Sequence, residues 1–352
     1  MKTASKVNIN ILTFNGEKYL KLCLDSALSQ DYSNFNILII DNASTDKTVQ
    51  IIKDYLDKYS EKILFIQNKK NIGFASGHNQ GIHLDDGKYV MLLNQDAVLT
   101  PSFLSDAIKI LEKDEKIAAL QPKVLKYDFK KKKEKNIFDT TGLVILKNRR
   151  IINRGQGQKD DGQFHKQEEV FGVDGAVPVY RRDALNDVKL PTFIQKPEAE
   201  SQQLKDEFFD SSFFAYKEDV DLAWRLRLYG WKAIYAPKVL AYHERGAGES
   251  ASKKASEIIK ERNNISLFAK TISFKNQRLM QIKNETTGLY LKHLPQIFWK
   301  DIRAWAYIIL IEPKILKIIP KMIAQIPKAM KQRKIVQKDK KIKEKELKRW
   351  FS

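Results

Sequence analysis

The sequence predicts an α/β protein: a mostly parallel sheet with helices on both faces, followed by a helical extension. Three observations carry that expectation. Four short apolar runs, at residues 7–14, 36–40, 63–66 and 89–93, alternate with segments whose apolar residues recur at helical spacing. Each run ends in polar residues: Asn15 and Glu17, Asp41 and Asn42, Asn68, and Asn94 with Asp96. Strand ends of an open parallel sheet share one edge, so these residues describe a single polar rim. Beyond residue 289 the strand pattern gives way to apolar and basic helical segments broken by Pro295, Pro313, Pro320 and Pro327.

Taken in order, residues 7–14 alternate polar and apolar before turning apolar, which reads as a strand, and Asn15-Gly16-Glu17 is its turn. Leu20, Cys23, Leu24, Ala27 and Leu28 mark one face of a helix. After the second strand, Ser44 or Thr45 is expected to cap a helix that carries Val49, Ile52 and Leu56 on one face. The third strand ends at Gln67-Asn68, and a glycine-punctuated turn at residues 71–81 leads into a helix. The fourth strand is apolar throughout, as a buried central strand is, and stops abruptly at Asn94-Gln95-Asp96. Thr100-Pro101 reads as a cap followed by proline at the first helical position. Residues 117–125 read as a strand. Residues 126–135, with Lys130, Lys131, Lys132 and Lys133 in a row, read as an exposed basic loop. Residues 155–162 read as a mobile loop, and 192–207 as a polar insertion.

With 352 residues, 30% charged and 43% hydrophobic, the chain can bury a full globular core. The single cysteine, Cys23, excludes an internal disulfide framework and suits a reducing cytosol. Residues 1–7 hold no apolar core of signal-peptide length, and no stretch approaches the roughly 18 apolar residues of a membrane span, so neither is expected. The net charge of +20 is uneven: between Lys314 and Arg349, 14 Lys or Arg meet only Asp339, Glu344 and Glu346. Such a stretch suits an anionic membrane surface or a nucleic acid. The first strand is not followed by Gly-x-Gly-x-x-Gly, and no P-loop motif is present, which argues against dinucleotide and P-loop folds.

The motifs at the rim carry a resemblance. Residues 9–16 (Ile-Asn-Ile-Leu-Thr-Phe-Asn-Gly) and 39–46 (Ile-Ile-Asp-Asn-Ala-Ser-Thr-Asp) resemble the opening motifs of family 2 glycosyltransferases, whose GT-A fold is a Rossmann-like, mostly parallel sheet flanked by helices. Residues 71–75 (Asn-Ile-Gly-Phe-Ala) and 93–96 (Leu-Asn-Gln-Asp) match the next two, in order and spacing. The variant looks most like bacterial rhamnosyltransferase-type members, and the likeness covers residues 7–245 with gaps in the loops. It implies that Thr13, Asn15 and Glu17 line a nucleotide pocket, that Asp41, with Asn42 beside it, accepts a hydrogen bond from a pyrimidine base, and that Asn68 and Gly73 lie along the nucleoside. Asn94 would lie over the ribose, and Asp96 would hold Mg2+ or Mn2+. The family's usual Asp-x-Asp is Asn94-Gln95-Asp96 here, so one carboxylate remains and a further ligand is needed; His243 stands where the family can complete that site. Residues 172–176 resemble the segment beside the acceptor, which makes Asp174 and Gly175 acceptor-side residues.

Residues 213–225 place Glu218, Asp219 and Asp221 at the start of a helix behind the apolar approach Phe213-Phe214-Ala215-Tyr216. Acids there also favour the helix dipole. The family's Glu-Asp motif falls on Glu218-Asp219, and by that match Asp219 is the catalytic base. Transfer with inversion needs a carboxylate to take the proton of the attacking hydroxyl and a cation to neutralise the departing diphosphate. Arg262 could reach the diphosphate or serve the surface.

The expected protein is therefore an inverting, metal-dependent hexosyltransferase using a UDP- or dTDP-sugar and a saccharide or lipid-linked acceptor. The organisation read from the sequence is a catalytic unit at 1–250, an amphipathic helical extension at 251–330 and a basic tail at 331–352, solvated or frayed. The extension suits helices in a membrane interface, which would place the protein on the cytoplasmic, inner face of the cell membrane. Packing on the catalytic unit or on a second copy, as a homo-oligomer, is the other reading. A sugar-nucleotide nucleotidyltransferase would want a basic glycine-rich loop where Phe14-Asn15-Gly16-Glu17 stands. A nucleic-acid binder would want stacking aromatics that the tail lacks, so no nucleic acid is expected.

Overall fold

The computed structural model describes residues 5–192, 206–245 and 255–352, with the side chains of residues 255 and 256 left aside. Most of the expected insertion at 192–207 lies outside the described residues, as does Gly246.

The first half alternates as expected: β1 (Val7–Thr13), α1 (Leu20–Leu28), β2 (Phe35–Asp41), α2 (Thr48–Tyr59), β3 (Ile63–Gln67), α3 (Gly73–Leu84), β4 (Tyr89–Asn94), β5 (Ala97–Leu99) and α4 (Phe103–Leu111). Then come β6 (Ile117–Asp128), β7 (Lys133–Thr140), β8 (Leu143–Ile145), β9 (Ile151–Asn153), β10 (Glu168–Glu169), β11 (Val179–Arg181) and α5 (Arg182–Asp187). The small hairpin β12 (Leu190–Pro191) and β13 (Asp206–Glu207) precedes α6 (Glu218–Leu228) and β14 (Lys232–His243). The main sheet has ten strands in the order β10-β14-β6-β11-β4-β1-β2-β3, with β5 paired to β14 and β7 to β6. The long strands β3, β2, β1, β4, β6 and β14 all run one way, because short β11 is antiparallel to both β4 and β6. This is the mostly parallel, helix-flanked sheet expected from the sequence.

Along β4 the side chains divide by alternation. Tyr89, Met91 and Leu93 join the core on one face with Ile9 and Ile11, and Val90 and Leu92 join the core on the other. Helix α3 lies close on β1 because Gly77 and Gly81 face it; a Cβ at either would meet Leu12 or Asn10 at 2.4 or 2.3 Å.

Local expectations differ in three places. Neither Ser44 nor Thr45 caps α2; Asp46 accepts the Thr48 N–H at 3.0 Å, while the Ser44 hydroxyl turns back to Asp41. Thr100-Pro101 forms a turn ahead of α4, with the Phe103 N–H on the Thr100 carbonyl at 3.1 Å. Residues 126–135 are no open loop: β6 and β7 pair through Tyr127 with Glu134 and Asp128 with Lys133, and Phe129 packs edge-on to Tyr19 and Tyr127. Lys130, Lys131 and Lys132 form the turn of that hairpin and Lys133 opens β7, and all four are exposed, as expected.

The remainder is helical: α7 (Ala255–Asn263), α8 (Leu267–Asn284), α9 (Thr287–Lys292), α10 (Leu294–Leu310), a 3₁₀ segment (Pro313–Ile318), α11 (Ile319–Asp339) and α12 (Glu344–Lys348). No described helix is long and apolar enough to cross a membrane. Helix α8 packs on the sheet unit through buried polar side chains. Lys283 bridges Asp210 at 2.7 Å and Asp221 at 3.0 Å, and Asn284 donates to Asp221 at 2.8 Å. The basic tail does not fray. Lys341 N–H bonds the Leu228 carbonyl, Leu347 is fully buried, and Phe351 enters the core beside Trp224.

Candidate active site

Strand register sets the site. The carboxyl ends of β1 and β2 pair Thr13 with Asp41, and Leu12 of β1 pairs with Asn94 of β4. After β4 the chain reverses into β5, which runs antiparallel to the end of β14 with Ala97 opposite His243. That register brings Asp96 to His243: Nε2 lies 3.1 Å from Asp96 Oδ1, and Nδ1 lies 3.0 Å from Asp139 Oδ2. Arg245 takes both oxygens of Asp139 at 2.7 and 2.8 Å and reaches Asp174 at 2.9 Å. A continuous chain, Asp96–His243–Asp139–Arg245–Asp174, results. Burial alone would lower the His243 pKa, but the carboxylates on either side outweigh it and raise it to about 10. Burial likewise opposes ionisation of Asp139, and Arg245 and His243 more than reverse that, holding it below the usual carboxylate range.

The next residue joins this chain to α6. The Gly175 N–H donates to Asp219 Oδ2 at 3.2 Å, and Val220 N–H donates to Oδ1 at 2.7 Å. Burial first, then the charge of Asp174, raises Asp219 to about 6. Glu218 is buried more deeply, its Oε2 has no hydrogen-bond partner among the described residues, and burial together with Asp219 pushes it well above the carboxylate range. Both adjacent acids are thus held above the ordinary carboxylate range, and they titrate as one pair. The third acid, Asp221, is structural: Arg225 and Lys283 hold it.

One cavity of about 580 Å³ collects Asn94, Asp96, Asp174, Gly175, Glu218, Asp219 and His243. Helices α7, α8 and α10 close its other wall with Arg262, Lys270 and Lys300. Arg262 is held by Glu312 at 2.6 Å, which also binds Lys270 at 2.7 Å. The remaining rim residues lie outside that cavity and bond mainly to one another. Thr13 donates to Gln95 at 2.6 Å, Asn15 Oδ1 accepts from Thr45 N–H at 2.9 Å, and Glu17 accepts from Lys47 N–H at 3.2 Å. Asp41 accepts from Ser44 N–H at 3.0 Å, Asn68 donates to Asn42 at 3.0 Å, and Asn42 donates to the Gly73 carbonyl at 3.3 Å. Gly73 sits at φ +86 with the Phe214 backbone where a Cβ would fall, so it tethers this rim to the segment before Glu218.

Sequence reasoning missed Asp139, Gln95 and the role of Arg245. Asp139 is one of two acids in β7, with Glu134, and nothing local sets it apart. Among the described residues no group of three or more His, Cys, Asp or Glu could hold a metal by itself. Asp96 offers a carboxylate to a cation shared with a diphosphate, since Mg2+ commonly takes one or two protein ligands and substrate oxygens, and His243 Nε2 could join it only on giving up the proton it now shares with Asp96. The Asp139 carboxylate behind the imidazole is the usual support of a ligating histidine.

The mostly parallel sheet carries its carboxylate-lined cavity at the strand ends, where ligands of open α/β sheets bind. The family model of glycosyl transferase family 2 matches residues 9–189, and the chain belongs to that family. An uncharacterized glycosyltransferase of Haemophilus influenzae is 30% identical over 120 residues, 34% of this chain and 37% of that protein. The dolichyl N-acetyl-alpha-D-glucosaminyl phosphate 3-beta-D-2,3-diacetamido-2,3-dideoxy-beta-D-glucuronosyltransferase of Methanococcus voltae is 32% identical over 112 residues, 31% of this chain and 35% of that protein. The matched segment thus spans little more than a third of the length of these curated relatives. The crystal structure of GalNAc-T7 with UDP, GalNAc and Mn2+ aligns with a TM-score of 0.55 at 12% identity, over 88% of this chain and 58% of that one, which shows a shared fold.

Proposed function

We propose that the protein is an inverting glycosyltransferase. It moves a hexose or deoxyhexose, rhamnose included, from a UDP- or dTDP-sugar to a saccharide or lipid-linked saccharide during surface-polysaccharide assembly at the inner face of the cell membrane. Residues 1–250 are its catalytic unit. The observation that carries this reading is the common cavity of Asp96, His243 and Asp219. The relative from Methanococcus voltae, named for a dolichyl phosphate-linked sugar acceptor, supports the lipid-linked class.

Asp219, held by Gly175 and Val220, takes the proton of the acceptor hydroxyl as its oxygen attacks the anomeric carbon. Burial and the neighbouring Asp219 disfavour the charged form of Glu218, which limits a second negative charge beside the base. Thr13, Asn15, Glu17, Asp41, Asn42, Asn68 and Gly73 form the nucleotide side, with Asn94 over the ribose. Asp174 and Gly175 stand on the acceptor side. Asp96, joined by His243 once its ring is neutral, would hold Mg2+ or Mn2+, which would neutralise charge on the leaving diphosphate.

A panel of sugar nucleotides tests this. Nucleotide diphosphate release should require Mg2+ or Mn2+ and stop with EDTA, and proton NMR should show a product anomer opposite to the donor's. Asp219→Asn should lose at least about 10³-fold in transfer while still binding donor. Retained turnover in that variant, or a retained anomeric configuration, would overturn the mechanism.

A further inference from the structure

We infer that the outer face of α9 and α10 is a docking surface for an anionic phospholipid bilayer, and that it sets the cavity one helix away from the membrane. The inference deepens the proposed function and rests on it only for the meaning of that distance.

The apolar half of the surface is a stripe with no protein against it among the described residues. Ile297 and Ile308 turn α10 inward. On the other side Phe298, Trp299 and Leu310 are 55, 60 and 76% exposed, and Leu291, Ile302 and Ile309 continue the line. Soluble surfaces scatter single apolar residues but seldom align so many large ones. Aromatic and aliphatic side chains on one helical face, with cations at its edge, are the pattern of a helix seated at a lipid–water boundary.

The polar half is a basin beside the first turns of α10. Lys147, Lys292, Lys345, Lys348 and Arg349 line one depression. Gln296 joins it to a second, lined by Trp299 and Arg303. Arg349 is bound to Glu169 at 2.8 Å, but no carboxylate lines the basin. Lys348 stands close enough to Lys292 to lower its pKa, a like-charge approach that a bound anion would relieve.

Charge decides between the two occupants such a face could take. From residue 286 to 352 the chain carries 17 Lys or Arg against five Asp or Glu. A second copy on a two-fold axis would set that excess against itself. Anionic lipid would neutralise it, with phosphates in the basin and acyl chains against Phe298, Trp299 and Leu310. The inner face of the same helix supplies Lys300 and Ala304 to the cavity wall. A helix is about 10 Å across, so an acceptor anchored in the bilayer needs that reach and the width of the cavity to meet Asp219.

The test is vesicle co-sedimentation of the full chain, with light scattering for oligomeric state. Vesicles of phosphatidylcholine with 30% phosphatidylglycerol, on the order used to mimic an anionic leaflet, should bind the protein at least about tenfold better than pure phosphatidylcholine, less so at high salt. Phe298→Ser with Trp299→Ser and Leu310→Ser should lose at least about tenfold of that binding, as should Lys292→Glu with Lys348→Glu. All three proteins should bind donor nucleotide alike, which separates this surface from the transfer reaction. Equal binding to both vesicles, no binding to either, or full binding by both variants would overturn the inference. So would a dimer that the Phe298, Trp299 and Leu310 changes dissociate.

Discussion

Asp219 is held where its charge is disfavoured: its pKa is raised to about 6, first by burial and then by Asp174. Two consequences follow with definite signs. In the proposed role of base it must be ionised, so kcat/KM should fall about tenfold per pH unit below about pH 6 and level off above it. For stability, the folded pKa lies above the ordinary value of 3.8. Below both values each state carries the proton and the group contributes nothing. Between them the folded state binds a proton that the unfolded state has released, so stability falls as pH rises through that window and stays lower above about 6. Asp219→Asn removes the charge and should raise stability at pH 7 by on the order of 2 kcal/mol while abolishing transfer. Thermal unfolding at pH 4 and pH 7 checks it: the variant should gain over the native chain at pH 7 and gain little at pH 4. An equal gain at both would show that charge burial at Asp219 is not the cause.

The segment before α6 places that carboxylate, and one residue of α8 holds the segment. Phe214, Tyr216 and Lys217 have φ of 67, 68 and 75, a region that non-glycine residues enter at a cost of about 1–3 kcal/mol each. Asn276 Nδ2 donates to the carbonyls of Phe213, Ala215 and Tyr216 at 2.9, 2.9 and 2.7 Å. Asn276→Ala should release the segment and lower kcat about 10²-fold, since small displacements of a catalytic group cost that much, with donor KM unchanged. Asn276→Asp should not restore it, because a carboxylate has no N–H to give. Steady-state kinetics with a folded variant check this; a shift in donor KM alone would place the effect elsewhere. This clamp was not legible in the sequence, and the reason is physical. The strands and their polar ends announce themselves by local alternation and abrupt polarity, so β1 to β4 and Asp96 could be read directly, whereas Glu218-Asp219 stood out from the other helix-start acids only through the resemblance. Asp139 meets Arg245 across 106 residues, and Asn276 meets Tyr216 across 60; periodicity carries no information over such separations. The three residues of β11 are too few to show a period, so the one reversed strand in the sheet's centre was invisible too.

Across the whole molecule, the basic stretch expected to be loose instead closes the structure. Its lysines made it look solvated, because composition records the outward face of a helix and hides the few apolar residues that anchor it. Phe351 is 4% exposed, with its ring edge-on to Trp224 of α6 and under the buried Arg149 guanidinium at 4.2 Å. Backbone bonds join Ser352 to Ile145 at 3.1 Å and Lys147 to Ser352 at 2.9 Å. Arg149 in turn is paired with Glu285 at the end of α8, so the last residues, the β8–β9 hairpin and the helical extension share one buried cluster. Phe351→Ala should therefore destabilise the fold by about 3–5 kcal/mol, the usual range for emptying a buried phenylalanine site. Lys345→Ala, on the exposed side of α12, should change stability by less than about 0.5 kcal/mol. Urea unfolding followed by near- and far-ultraviolet circular dichroism separates the cases. A large midpoint shift for Phe351→Ala with coincident probes means that the tail unfolds with the sheet. A shift no larger than that of Lys345→Ala means that the tail opens by itself, and helix α6 then keeps its footing without it.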